Sequence, residues 1–121
     1  MIKTLKGVLK GLMFALDGYV GAFREDVHFR INLILSLLGT LLSLILLDGC
    51  QKVVVALVNY LVLAFELLNT ALERAVDTAT SEFRPTAKLA KDAAAAAVLT
   101  VGLFALICDI LFLLPQIFRR L

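Results

Sequence analysis

Residues 53–77 read VVVALVNYLVLAFELLNTALERAVD. From Val53 to Phe65 the run carries no charge, and Asn59 and Tyr60 are its only polar interruptions. Glu66, Asn69, Glu73 and Asp77 follow at spacings of 3, 4 and 4. Such spacing aligns side chains along one face of an α-helix and leaves the opposite side apolar. An ionisable residue that deep in an apolar helix costs about 2.5–3.5 kcal/mol on membrane-insertion scales, so Glu66 requires a partner or a use. Arg74 falls off the stripe, with a side chain long enough to snorkel to water.

Two further apolar runs flank this one, from about Ile31 to Leu47 and from about Ala93 to Phe118. A helix needs roughly 20 apolar residues, within about 17–25, to cross the hydrocarbon. All three qualify, the first barely. The whole chain has 121 residues and is 61% hydrophobic, with a mean hydropathy of +0.96. Soluble domains are about 45–50% apolar, and so short a chain has too little interior to hide the excess. The expected class is an all-α integral membrane protein forming one domain over 1–121. Its parts are a surface helix at 1–25 and membrane helices at 31–48, 52–80 and 91–118.

The links and ends refine this plan. Asp48-Gly49-Cys50-Gln51-Lys52 suits a tight turn, whereas Thr78 to Ala90 is a longer polar link with Pro85 as a breaker. In the first segment, Ile2, Leu5, Val8, Leu9 and Leu12 share a broad face opposite Lys3, Lys6 and Lys10, the pattern of a helix lying in the membrane surface. Asp17, Gly18 and Gly21 interrupt that segment, so a cleaved signal peptide is not expected. Residues 24–30 are polar and charged. Most basic residues collect on the side that holds the N-terminus, which is therefore expected to be cytoplasmic, with Lys52, Arg119 and Arg120 opposite. The alanines at 93–97 would let helices approach closely. A net charge of +2 does not suggest nucleic acid, and Cys50, Cys108 and the single His28 have no metal-binding spacing.

The same layout brings carboxylates from three helix entries to one rim. Asp26, with Glu25 beside it, precedes the first crossing; the stripe ends the second; Lys91 and Asp92 precede the third. Converging carboxylates call for a cation. Mg²⁺ suits one or two of them together with phosphate oxygens, and Lys91 could hold a phosphate as a point charge. No G-x-x-x-x-G-K-[ST] loop is present. Other readings remain at this level. Glu66 and Asn69 could simply hydrogen-bond between helices; Glu66 could be the proton site of a small ion-coupled transporter; or the chain could be a non-catalytic membrane assembly subunit. The transporter accounts for one deep carboxylate but not for acids at three entries.

The run Glu66-Leu-Leu-Asn-Thr-Ala-Leu-Glu73-x-x-Val-Asp77, then Ala90-Lys91-Asp92 and the alanine-rich start of the last helix, resembles the small prokaryotic diacylglycerol kinase family, which includes undecaprenol kinases. The likeness spans about residues 10–118 and includes the segment ending His28-Phe29-Arg30-Ile31-Asn32. It implies a homotrimeric, Mg²⁺- and ATP-dependent lipid kinase of the bacterial inner membrane, its active sites shared between neighbouring subunits on the cytoplasmic side. It implies Glu66 as general base for the lipid hydroxyl, with Asn69 supporting it; burial would raise the Glu66 pKa toward useful base strength. It implies Glu73 and Asp26 as metal ligands, Glu25 being the alternative to Asp26, which stands where a glutamate is usual. Phe14, Asp77, Glu82, Arg84, Lys91 and Asp92 fall at nucleotide-binding positions, Arg84 replacing a usual histidine. The segment from Ser81 to Asp92, Ala95 and Leu113-Leu114-Pro115 look more like the undecaprenol-type branch.

Overall fold

Why the helices begin where they do follows from three short links. The computed structural model describes residues 2–120, and all their side chains except those of Ile2, Lys3 and Leu5. The expected placements of those three side chains lie outside the described residues. The elements are α1 (Ile2–Glu25), α2 (Val27–Leu46), α3 (Gly49–Ala79) and α4 (Pro85–Arg120). The last three are each long and apolar enough to cross a membrane.

Asp26 alone separates α1 from α2. Its extended backbone ends one helix and its side chain starts the next: Oδ1 accepts from the amides of His28 at 2.8 Å and Phe29 at 3.2 Å. An aspartate at this position satisfies donors that would otherwise be unpaired. The polar stretch 24–30 is therefore mostly helical, and α2 starts four residues before Ile31. The link from α2 to α3 is also shorter than expected. Leu47 and Asp48 are extended, and Gly49, at φ +56°, already opens α3. Gln51 and Lys52 are helical rather than part of a turn. Pro85 does not break a helix but begins one. Its fixed φ and missing N–H suit the first helical position, so α4 starts six residues before Lys91 and the polar link shrinks to residues 80–84.

The core is a seam between α3 and α4, where Leu47, Val55, Val58 and Val62 meet Ala105, Cys108 and Leu113. Cys108 is buried here as a small hydrophobe, and it is unpaired; Cys50 is exposed. Against this seam α2 lays a stripe of small residues, with Ser36, Gly39, Thr40 and Ser43 all buried. Small side chains let helix backbones close in. The Ser43 hydroxyl donates to the Thr40 carbonyl at 2.7 Å, so it needs no solvent. The outward faces are apolar, with Leu37, Leu41 and Leu44 of α2 and Leu103, Ile107 and Leu111 of α4 exposed. Lipid is the solvent such faces require. α1 docks through Ala22, which is buried, and through Tyr19, whose ring lies 6.2 Å from that of Phe29.

Gly39 is the tightest point. A Cβ there would lie 3.0 Å from Asn59 Nδ2 and 3.2 Å from Asp109 Oδ2. Gly39→Leu should overpack this contact, at a cost of about 1–3 kcal/mol. A fall in the unfolding midpoint in detergent micelles would register it, and an unchanged midpoint would mean that α2 can move aside.

Candidate active site

The polar stripe of α3 faces a cleft of about 1060 Å³ walled by α2 and α4. Glu66, Asn69, Glu73 and Asp77 all line it, joined by Glu25 and Asp26 from the α1–α2 junction. Acidic residues from two helix entries thus converge, rather than from the three expected, because Asp92 at the third does not line the cleft. Glu66 is the deepest, only 3% exposed, and Asn32 of α2 borders the same cleft. Thr70, one turn beyond Glu66, has its hydroxyl 3.0 Å from the Glu66 carbonyl and 2.8 Å from Asp26 Oδ2, its single proton shared between the two acceptors. The contact with Asp26 joins the start of α2 to α3.

Asp26 is consequently held by three donors. Burial works to raise its pKa, but the hydroxyl of Thr70, the amides of Phe29 and His28, and the nearby His28 charge together outweigh it. The pKa falls below the ordinary value. A carboxyl depressed in the folded state stabilises the fold at pH above its unfolded value, and loses that contribution as pH drops through the depressed value. Asp26→Ala should therefore cost about 1 kcal/mol of stability from the cap alone, with the deficit fading in acid below about pH 4. Asp26→Asn keeps the cap, because asparagine caps as well as aspartate. Chemical denaturation at neutral and acid pH separates the two; equal losses for both variants would mean that charge rather than capping matters.

Asn69 Nδ2 donates to Glu73 Oε1 at 3.2 Å, while Asn69 Oδ1 is buried with no partner among the described residues. A buried carbonyl oxygen without a donor is costly unless something binds it. Glu73 and Asp26 line the same cleft. No three Asp, Glu, His or Cys side chains among the described residues gather closely enough to hold an ion by themselves; Mg²⁺ takes only one or two protein carboxylates and completes its shell with water and phosphate oxygens, and oxygen donors of this kind are the ones it uses.

Other site expectations fall elsewhere in the single chain. Lys91 sits at the rim and donates to Asp77. Asp92 pairs with Lys88 one turn back and does not line the cleft. Glu82 and Arg84 pair with each other in the 80–84 link, both exposed. Phe14 is 63% exposed on α1, with Lys10 Nζ 5.7 Å from its ring centroid. Arg74 does not simply snorkel; it pairs with Glu25. Asn32, open in the sequence between a cap and a hydrogen bond near the site, borders the cleft; Thr70 as part of the site, and Asp109 altogether, escape the sequence reading. Thr70 had a legible signal, lying four residues from Glu66 and so one helical turn away.

Comparison with known proteins identifies the family. The family model for prokaryotic diacylglycerol kinase matches residues 13–113. A diacylglycerol kinase from Synechocystis sp. is 38% identical over 112 residues, covering 91% of this chain and 64% of that protein. One from Helicobacter pylori is 38% identical over 102 residues, covering 84% of this chain and 79% of its own. An undecaprenol kinase from Bacillus subtilis is 46% identical over 54 residues, 45% of this chain and 44% of its own. With its acidic stripe on α3, its capped α2 and its matched length, the chain belongs to the prokaryotic diacylglycerol kinase family.

Proposed function

We propose that this chain moves the γ-phosphate of ATP onto the hydroxyl of a membrane lipid, diacylglycerol or undecaprenol, at the cleft of α2, α3 and α4. Family membership makes it a lipid phosphotransferase. The observation that carries the reading further is the cleft itself, with a deep carboxylate at its apolar end and four more toward the rim. That gradient suits two substrates of opposite character, a lipid alcohol entering from the hydrocarbon side and a polyphosphate from the aqueous side. A lone proton site would use Glu66 but leave Glu73, Asp77, Glu25 and Asp26 without a task.

In this mechanism Glu66 accepts the proton of the lipid hydroxyl as its oxygen attacks the γ-phosphorus and ADP departs. Asn69 orients Glu73 through their hydrogen bond. Glu73, Asp26 and the free Asn69 Oδ1 would hold Mg²⁺, which when bound supplies neutralisation of phosphate charge. Lys91 exchanges Asp77 for a phosphate oxygen. Phe14 of α1, Glu82 and Arg84 of the 80–84 link and Asp92 of α4 complete the nucleotide site, within one chain or across subunits of a homotrimer. The basic-rich rim faces the cytoplasm of a bacterial inner membrane, with α1 lying in the interface. The exposed Leu12, Met13 and Leu16 of α1 support that placement.

The test is direct. Protein purified in detergent micelles is given γ-labelled ATP and Mg²⁺ with diacylglycerol or undecaprenol in separate reactions. Label should appear in the extracted lipid and disappear with EDTA. Label in neither lipid would overturn the proposal, and label in only one would name the substrate.

A further inference from the structure

Two side-chain ties join α3 to α4, and they share one register. At the rim Lys91 donates to Asp77; well inside the apolar spans, Asn59 Nδ2 donates to Asp109 Oδ1 at 3.2 Å. From 59 to 77 is 18 residues along α3, and from 91 to 109 is 18 along α4. At 3.6 residues per turn this is about five whole turns, or about 27 Å of axis. Both ties therefore use a single face of each helix and demand the same antiparallel alignment. That alignment sets Gly102 across from Glu66 and Ala95 across from Glu73, and all four line the cleft. The α4 wall is thus small opposite each of the two carboxylates. A slip of one turn would bring Val98 or Leu106 opposite Glu66 and put a branched side chain into the space.

The seam offers little else to prevent such a slip. Its other contacts are Val, Leu, Ala, Cys108 and Phe112, whose packing is not directional, and between helices in lipid no hydrophobic force selects a register. The rim tie is exposed to water, where ion pairs are weak. The inner tie differs. Asn59 is 4% exposed, its amide also donates to the Val55 carbonyl at 3.0 Å, and Gly39 of α2 closes against both partners. A misaligned α4 would leave polar groups unpaired among apolar side chains, which is costly.

We propose that the Asn59–Asp109 pair is a register lock, a pair of positioning residues that holds the small residues of α4 opposite Glu66 and Glu73. The inference rests on the cleft being the site of phosphoryl transfer. Its test reads register and catalysis separately. In a background of Cys50→Ser and Cys108→Ala, spin labels are placed at Lys52→Cys and Gln116→Cys, which the same alignment sets opposite each other. Labelled chain is diluted into unlabelled chain for distance measurement by electron spin resonance, and kcat and KM are taken with lipid and Mg·ATP. Asp109→Asn keeps an acceptor for Asn59 and should leave distances and kcat within about threefold of the parent. Asp109→Leu should shift or broaden the distances by about one turn, about 5 Å. It should lower kcat about 10- to 100-fold, with the KM for Mg·ATP changed less than about threefold. The exchange Asn59→Asp with Asp109→Asn, which keeps a donor and an acceptor with their places swapped, should likewise leave both readouts near the parent. Parent-like distances in Asp109→Leu would overturn the proposal, as would shifted distances with full kcat. Should Asp109→Leu fail to fold, the exchange variant decides: parent-like distances and turnover support the lock, and their loss defeats it. Full activity of Glu66→Gln would remove the site reading, yet the label distances would still judge the lock.

Discussion

Glu66→Gln is expected to lower lipid phosphorylation by about 100- to 10,000-fold, the usual range for loss of a general base, with all four helices retained. Glutamine keeps the shape and the hydrogen-bonding capacity of the side chain but accepts a proton far less readily. Packing against Asn32 and the Thr70 bond to the Glu66 carbonyl need no charge, so circular dichroism and the elution volume in micelles should match the parent. The KM for Mg·ATP should also hold, because the proposed nucleotide end of the cleft lies at Glu73 and Asp77. A variant with full turnover would leave Glu66 as a purely structural residue and move the base elsewhere. Loss of activity together with loss of helicity would show nothing about chemistry, and Glu66→Asp then serves instead: it keeps the carboxylate, set back by one methylene.

The second large effect concerns the metal. Glu73→Gln should raise the Mg²⁺ concentration giving half-maximal activity by about 10- to 100-fold, the scale on which groups at a metal site act. Glu73 already accepts from Asn69, so it is held in one orientation, with its other oxygen free to ligate. Asn69→Leu should reproduce part of the effect by removing both the orienting bond and the free Oδ1. Titrating Mg²⁺ at fixed ATP separates this from nucleotide affinity: a changed KM for ATP at saturating Mg²⁺ would assign Glu73 to the nucleotide rather than to the ion.

Much of this was legible in the chain. The apolar runs announced three spans, and the 3, 4 and 4 spacing announced the wall of the cleft, because both depend only on helical period. Capping was harder to read. Asp26 looked like a metal ligand, and its carboxylate does border the cleft, but the amides of His28 and Phe29 and the hydroxyl of Thr70 also claim it. A proline halts a helix from within, which makes Pro85 look like a stop in the sequence; at the first turn it starts one instead. Asp109 gave no local sign of its partner. Asn59 lies fifty positions away, and only folding brings the two together. In hindsight Asn59 carried a clue, since 59, 66 and 73 repeat every seven residues and so extend the acidic stripe upward.

The link of Leu47 and Asp48 constrains how the helices can move against one another. With only two extended residues between them, α2 and α3 have no slack to tilt or slide independently, so Gly39 stays closed against Asn59. The Asn59 amide also bonds the Val55 carbonyl of its own helix, so that half of its pairing does not depend on where α4 lies.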